Sequence, residues 1–448
     1  MPKTMKKNNE PQLSKKDVGL RSRALKDVSR ALGTKDLLGD DFSNLEAVKM
    51  SLIDFFKRYG FTEMETPILE KAEMFKNNFR RDASKELYEI TSDKGEKLAL
   101  RSELTQGIIR AFFEHDLINS MPQPTRLFSV GPVFRQEKLQ SSRYRQFTQI
   151  NAEILGENKA VAEALLIYTM FSLCKEWGLD IEVQINSLGK SECQKEYKTR
   201  LNAYYKERGN RAKLCNECKK LLAKDPLALL DCTEKECMGL AEGAPQIVDF
   251  LDEESRDHFS KLVEYLDELE VKYNFNPRLV RGLNYYNDAV FEFWPIADNG
   301  QVQYKYALGG GGRYDKLIEK IGGQDVPAVG MALGMERILY KLKDKGLILF
   351  PQPENLIFLA QLSEQAKLKS MQIFEDLRRE GFNIRNSFAA NSLKKQLEEA
   401  KQLQARVCLI LGKKELSDDT ILLRDMDSGV QEIVPQKKLI KDLQKKLN

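Results

Sequence analysis

The sequence predicts an α+β fold, a mainly antiparallel sheet with flanking helices, followed by a smaller C-terminal α/β domain. Three observations carry this reading. Alternating apolar runs in "TRLFSVGPVFRQEK" and "RQFTQINAEILG" are separated by a charged loop, as in two paired strands. The pattern returns at Leu279 and ends in "PAVGMALGMERIL", a Gly-rich strand-to-helix turn. Beyond Pro353, strands alternate with helices, the mark of a compact α/β module.

Taken in order, "SNLEAVKMSLIDFFKRYGF" predicts a helix capped by Ser43, with apolar residues at three- and four-residue spacing and a Gly stop. "YEITSDKGEKLALRSELT" predicts two short strands around the Asp93-Lys94-Gly95 turn, with Glu103 at the end of the second. The two long strands follow, then a helix over Ala160 to Trp177. Residues 188–255 read as a charged, helical, Cys-containing insertion. "LVRGLNYYNDAVFEF" resumes the sheet from Leu279, and Tyr285 is expected to point away from Tyr286 if that strand is regular. The glycines Gly309 to Gly312 read as a turn that lets backbone approach a ligand. After the linker the order is β (355–361), α (363–380), β (382–385), α (392–403), β (405–411), strand pairs and a Lys-rich helix.

A chain of 448 residues exceeds the ~250–300 at which single cores stop growing, so more than one domain is expected. The divisions are a basic, disordered tail (1–32), a first domain (33–349) with the insertion, and a second (353–448). The tail holds nine Lys/Arg against three Asp/Glu, a charge open to solubilisation or to contact with nucleic acid phosphates. It lacks the apolar core of a secretory signal, and no apolar run is long enough to span a membrane. Seven cysteines without such a signal point to a reducing, cytoplasmic setting. Four of them, Cys215, Cys218, Cys232 and Cys237, form C-x2-C-x13-C-x4-C, open to two readings: a structural zinc site, or reduced thiols in a small helical subdomain.

With only His115 and His258, neither in a motif, the chain offers little for Ser-His or Cys-His catalysis. Its chemistry must lean on positioning and charge. Arg135, Arg143 and Arg145 flank the loop between the long strands beside Phe147, a set suited to bidentate phosphate binding and base stacking, or to a solvated hairpin. Arg337 starts a helix, where free N–H groups favour anions. Glu103 and Glu153 lie in strand patterns where a buried carboxylate needs a partner. Such a set fits nucleotidyl transfer, where cations offset charge on phosphorus.

Several segments together resemble the histidyl branch of the class II aminoacyl-tRNA synthetases: "GTKDLLGDD", "TPILE", "LRSELT", "FRQEKLQSSRYRQFTQ", "LVRGLNYYNDAVFE", "GGGGRYDKLI" and "PAVGMALGMERI", with "SLKKQLEEAKQ" and "TILLRDMDSG" in the last domain. The resemblance covers the chain from about residue 33 onward. It implies a class II catalytic domain, a C-terminal anticodon-binding domain, and a homodimer using the "LEAVKMSLIDFF" helix. The implied substrates are ATP with Mg²⁺, L-histidine and tRNA-His.

By the same resemblance, Arg135 holds the ATP α-phosphate, Phe147 stacks on adenine, Arg143 and Arg337 take the outer phosphates, and Glu137 belongs to the ATP site. Glu103, Thr105 and Gln149 receive the α-amino group. Glu153 and Tyr286 read the imidazole, with Tyr314 close by. Arg281 reaches the substrate carboxylate and the α-phosphate. Asn284, Thr148, Leu139 and the "RSELT" wording depart from the family's usual residues. A catalytically silent paralogue, the histidine-sensing regulatory subunit of ATP phosphoribosyltransferase, is the alternative; that family lacks the last domain and usually loses motif arginines.

Overall fold

The computed structural model describes residues 29–76, 87–136, 144–297, 300–303, 306–347, 355–387 and 392–447. Most of the basic tail, the prolines of the linker, Glu137, Leu139 and Arg143 lie outside the described residues. The chain divides into two compact units, 1–349 and 350–448.

In the first unit, strands β1 (Thr62–Glu63), β2 (Leu69–Lys71), β3 (Tyr88–Thr91), β4 (Lys97–Leu100), β5 (Thr125–Phe134), β6 (Gln146–Leu155), β7 (Ile181–Ser187), β8 (Tyr273–Phe275), β9 (Asn287–Pro295), β10 (Gly309–Arg313) and β11 (Ala328–Gly334) form two sheets. The larger runs β1-β5-β6-β11-β10-β9-β7-β8, antiparallel except at its two edge pairs. The smaller, β2-β4-β3, includes the expected hairpin, whose Gly95 has φ +79°.

Alternation along β6 decides what each face carries. Ile150, Ala152 and Ile154 enter one core with the helices Asp40–Arg58, Val161–Glu176, Glu253–Glu268 and Met335–Asp344. Phe147, Gln149, Asn151 and Glu153 have the opposite parity and face the other side. There Leu127, Leu155, Tyr286 and Tyr314 join a second core with the helix Thr105–Glu114 and the insertion. The functional groups therefore share a layer with the insertion.

Three local expectations change. The first helix starts at Asp40, three residues before Ser43; Asp40 and Asp41 in its first turn complement the helix dipole where no side chain caps it. The "GGGG" run is strand β10 rather than a turn, hemmed between β9 and β11 so closely that a Cβ on Gly311 would lie 2.0 Å from the Gly330 carbonyl. Residues Leu279 to Tyr286 precede the strand, which begins at Asn287.

The second unit holds β12 (Ile357–Gln361), β13 (Ile384–Asn386), β14 (Val407–Leu411), β15 (Thr420–Asp425) and β16 (Gln431–Pro435) in the order β13-β12-β14-β15-β16. Every residue of β12 and β14 is buried, as expected for central strands covered on both faces. Helices Glu364–Arg379 and Leu439–Leu447 cover one face and Leu393–Gln402 the other.

Candidate active site

Glu153 is the centre of the site. It sits in the middle of the large sheet, opposite Leu127 on β5 and Gly330 on β11. Thr105 Oγ1 donates to its Oε1 at 2.6 Å, and Tyr314 Oη donates to its Oε2 at 2.5 Å. Asn151 Nδ2 donates to the Thr105 oxygen in turn, at 2.9 Å. Burial pushes the Glu153 carboxyl up to about 8, against these donors. Three side chains thus fix one carboxylate that water does not reach.

Glu103 is the second acid of the pocket. It lies past the end of β4, in the turn before the helix Thr105–Glu114, rather than on a strand as the sequence pattern indicated. Its Oε2 accepts from Tyr285 Oη at 3.0 Å, while Oε1 is buried without a hydrogen-bond partner. Burial raises this carboxyl to about 7, opposed by the charge of Arg135. Gln149 Oε1 is likewise buried and unpartnered. Buried orphan acceptors beside two desolvated carboxyls are groups that a ligand bearing N–H donors and positive charge would satisfy.

Tyr285 and Tyr286 both turn inward, their ring centroids 4.8 Å apart, and Tyr285 also meets Tyr314 edge-on at 5.9 Å. The expected opposite facing fails because the segment is not a regular strand. Tyr285 is therefore a site residue that the strand argument missed. Burial holds the Tyr286 phenol up at about 12 and pushes those of Tyr285 and Tyr314 well above the ordinary phenol value, so all three stay neutral donors.

Arg281 is not a lone cation. Its Nη1 is paired with Glu292 Oε1 on β9, and the Trp294 Nε1–H donates to Glu292 Oε2 at 3.2 Å. Burial works against the charge on Arg281, but Glu292 offsets it and the guanidinium pKa is raised. Glu292 pairs in register with Gly310, where a Cβ would lie 2.8 Å from Arg281 Nη1. Glycine at that position gives the guanidinium room over β10. The acid in "AVFEF", alone among apolar residues, was the available signal for Glu292.

Arg135 follows β5; its Nε–H donates to the Ser102 carbonyl at 2.9 Å and its guanidinium lies 5.4 Å from the Phe147 ring centroid. These two are brought together with Glu103. Arg337 stands in the first turn of the helix Met335–Asp344, Nη1 donating to the Ala307 carbonyl at 2.9 Å beside the Tyr306 ring. Glu336, which sequence reasoning passed over, accepts from the Thr148 N–H at 2.8 Å and so ties that helix to β6. His258 is structural: it and Arg313 both bind the buried Glu163, at 2.8 and 2.7 Å. An open cavity bounded by Glu70, Arg110, Glu114 and Lys320 shares no residue with this pocket.

The antiparallel sheet, with charged and phenolic groups along one face and arginines at its end, agrees with the class II aminoacyl-tRNA synthetase architecture that the sequence resemblance implies. Comparison with known proteins narrows this. The family described as "Histidyl-tRNA synthetase" matches residues 33–338, and "Anticodon binding domain" matches 356–446. The chain is 36% identical over 419 residues to a histidine–tRNA ligase of Dehalococcoides mccartyi, covering 93% of this chain and 99% of that one. To the Thermosipho melanesiensis histidine–tRNA ligase it is 36% identical over 404 residues, covering 89% and 94%. The crystal structure of apo S. aureus histidyl-tRNA synthetase superposes with a TM-score of 0.75 at 27% identity, covering 93% and 99%. The chain belongs to the histidyl-tRNA synthetase family, and its activity is that of a histidine–tRNA ligase. The regulatory-paralogue reading is not favoured.

Proposed function

We propose that the Glu153 pocket receives L-histidine, that ATP lies over Arg135 and Phe147, and that the chain joins them as histidyl-adenylate before passing the acyl group to the 3′ end of tRNA-His. The observation that carries this is the fixed Glu153 carboxylate with its Thr105 and Tyr314 donors, beside the unpartnered Glu103 and Gln149 oxygens. Glu153 and Tyr286 read the two imidazole nitrogens, with Tyr314 holding Glu153 in place. Glu103, Thr105 and Gln149 take the α-ammonium group, whose charge offsets the cost of ionising a buried carboxyl.

When the substrate carboxylate attacks the α-phosphorus, two anions approach each other. Arg281 and Arg135 supply the positive charge between them, and Phe147 gives adenine a stacking face. Arg337 lies at a helix start suited to the outer phosphates, and we assign Arg143 and Glu137 to the same nucleotide site. Mg²⁺ enters with ATP on its phosphate oxygens; the metal-ligating cluster among the described residues is all thiol, a donor set unsuited to that ion.

We assign residues 33–349 to the catalytic domain and 353–448 to anticodon binding, working in the cytoplasm; no helix among the described residues is long and apolar enough to cross a membrane. A homodimer is supported by Phe42 and Met50, exposed on the first helix, and by Ile68, Leu69 and Ile90, exposed on and beside the small sheet. Histidine-dependent exchange of labelled pyrophosphate into ATP tests the reading. Exchange with histidine and with no other amino acid is expected; a folded sample showing none would refute it.

A further inference from the structure

The insertion between β7 and β8 contains a second cluster of chemically active groups, none of which the proposed reaction uses. Its segment from Arg208 to Glu242 is built of short helices, Arg208–Lys213, Asn216–Leu221 and Lys235–Glu242, each too short to be stable alone. What they converge on is sulfur. The Sγ atoms of Cys215, Cys218, Cys232 and Cys237 all lie within 4.8 Å of one another, and Cys215 Sγ is 4.0 Å from Cys232 Sγ.

We infer that these four thiols bind one structural Zn²⁺ that holds the insertion together. A tetrahedron of thiolates at about 2.3 Å from zinc has sulfur–sulfur edges of about 3.8 Å, so these side chains need only small contractions to close on the ion. Two backbone donors already point at the sulfurs: the Cys218 N–H at Cys215 Sγ, 3.4 Å, and the Cys215 N–H at Cys237 Sγ, 3.3 Å. Such donors are the outer partners that orient and stabilise thiolate ligands. Binding releases the four thiol protons and leaves the site with a net charge of −2. Residues 206–242 carry eight Lys/Arg against seven Asp/Glu, so the segment around the sulfurs is nearly neutral before the ion binds. Without an ion the helices would still pack through Leu214, Leu222, Leu227 and Leu240, but the four sulfurs would add only weak S–H contacts.

The site bears on the histidine pocket through packing. Cys218 and Cys237 belong to the same core as Tyr285, Tyr286 and Tyr314. Gln194, at the base of the insertion, donates to the Tyr286 carbonyl at 3.0 Å. A closed insertion therefore supports the loop that carries both tyrosines.

The test uses the full chain, purified with a thiol reductant and no chelator. Elemental analysis should find about one zinc per chain, and Cys232→Ser should lower this to well under half. Metal-stripped wild type should lose thermal stability, recover it with Zn²⁺, and with Co²⁺ develop thiolate charge-transfer and tetrahedral d–d absorption, a signature that misfolding cannot mimic. Less than about half an equivalent of zinc, both as purified and after refolding with the metal, would overturn the inference. So would a Cys215–Cys232 disulfide in the native protein. Pyrophosphate exchange on the same samples separates the two readings: activity without zinc sinks only the metal site, and zinc without activity only the ligase assignment.

Discussion

Gly330 lies directly across the β6–β11 ladder from Glu153, and a Cβ there would come within 1.4 Å of the Glu153 Oε2 and 3.1 Å of the Tyr314 ring. The absent side chain is what lets a carboxylate lie flat in the middle of a sheet. Gly330→Ala must displace that carboxylate. Its histidine KM in pyrophosphate exchange should rise by about tenfold or more, with a lowered melting temperature and an ATP KM within about threefold of wild type. An unchanged histidine KM would show that the Glu153 position is not set by this close approach.

The Arg281–Glu292 pair makes a different demand. Removing one member of this partly buried pair leaves the other without its main partner and destabilises the fold. Arg281→Ala should therefore be both unstable and slow, whereas Arg281→Ala with Glu292→Gln should regain stability and stay slow. For the double variant, the exchange kcat is expected to fall by about 100-fold or more while histidine affinity changes less than about tenfold. Equal losses in both would place Arg281 in ground-state binding rather than in the reaction.

These assignments were unequally legible in the sequence. The paired long strands, the helix after Gly334 and the β/α order of the second unit followed from periodicity, because each element is long or strongly patterned and buries a consistent face. Glu153 could be placed on a sheet face for the same reason. The conformation of "LVRGLNYY" was not legible. An apolar pair followed by tyrosines has strand-like composition, yet the chain runs irregularly there so that Arg281 meets Tyr286 and the two tyrosine rings meet each other. Nor was the role of "GGGG": composition speaks for a turn, while close approach of neighbours on both sides demands glycine in a strand just as strongly. Glu336 was hidden because its partner Thr148 is distant in sequence and leaves no periodic trace, while Glu292 showed only as a lone acid in an apolar run.

Tyr285→Phe separates packing from recognition. The ring is kept and the hydrogen bond to Glu103 is lost, leaving a buried carboxylate without that donor. Histidine KM should rise by about 10- to 150-fold with little change in melting temperature, in line with about 1.5–3 kcal/mol for a bond to a charged group. No change in KM would return Tyr285 to a packing role.

The raised carboxyls set a pH dependence for the ligand-free protein. Glu103 and Glu153 keep their protons when folded up to about 7 and about 8, but lose them near the ordinary carboxylate range when unfolded. Between those limits the folded state holds more protons, so rising pH favours unfolding. The melting temperature should fall from about pH 5 to about pH 8, and Glu153→Gln should flatten that fall. Histidine should restore stability most at the alkaline end, where its ammonium group meets the ionised acids. A melting temperature that rises over this range in wild type and variant alike would show that other groups dominate.

The central claim is that Glu153 reads the substrate side chain. Its most direct measurement is the histidine KM of Glu153→Gln in pyrophosphate exchange, beside its ATP KM and its melting temperature. The replacement keeps shape and one acceptor oxygen while turning the other into an N–H donor that faces hydroxyl and imidazole donors. We expect the histidine KM to rise by about 30-fold or more, as for buried donors left unsatisfied in a desolvated pocket, with the ATP KM nearly unchanged and the fold intact. A variant that uses histidine as well as wild type does would contradict the account.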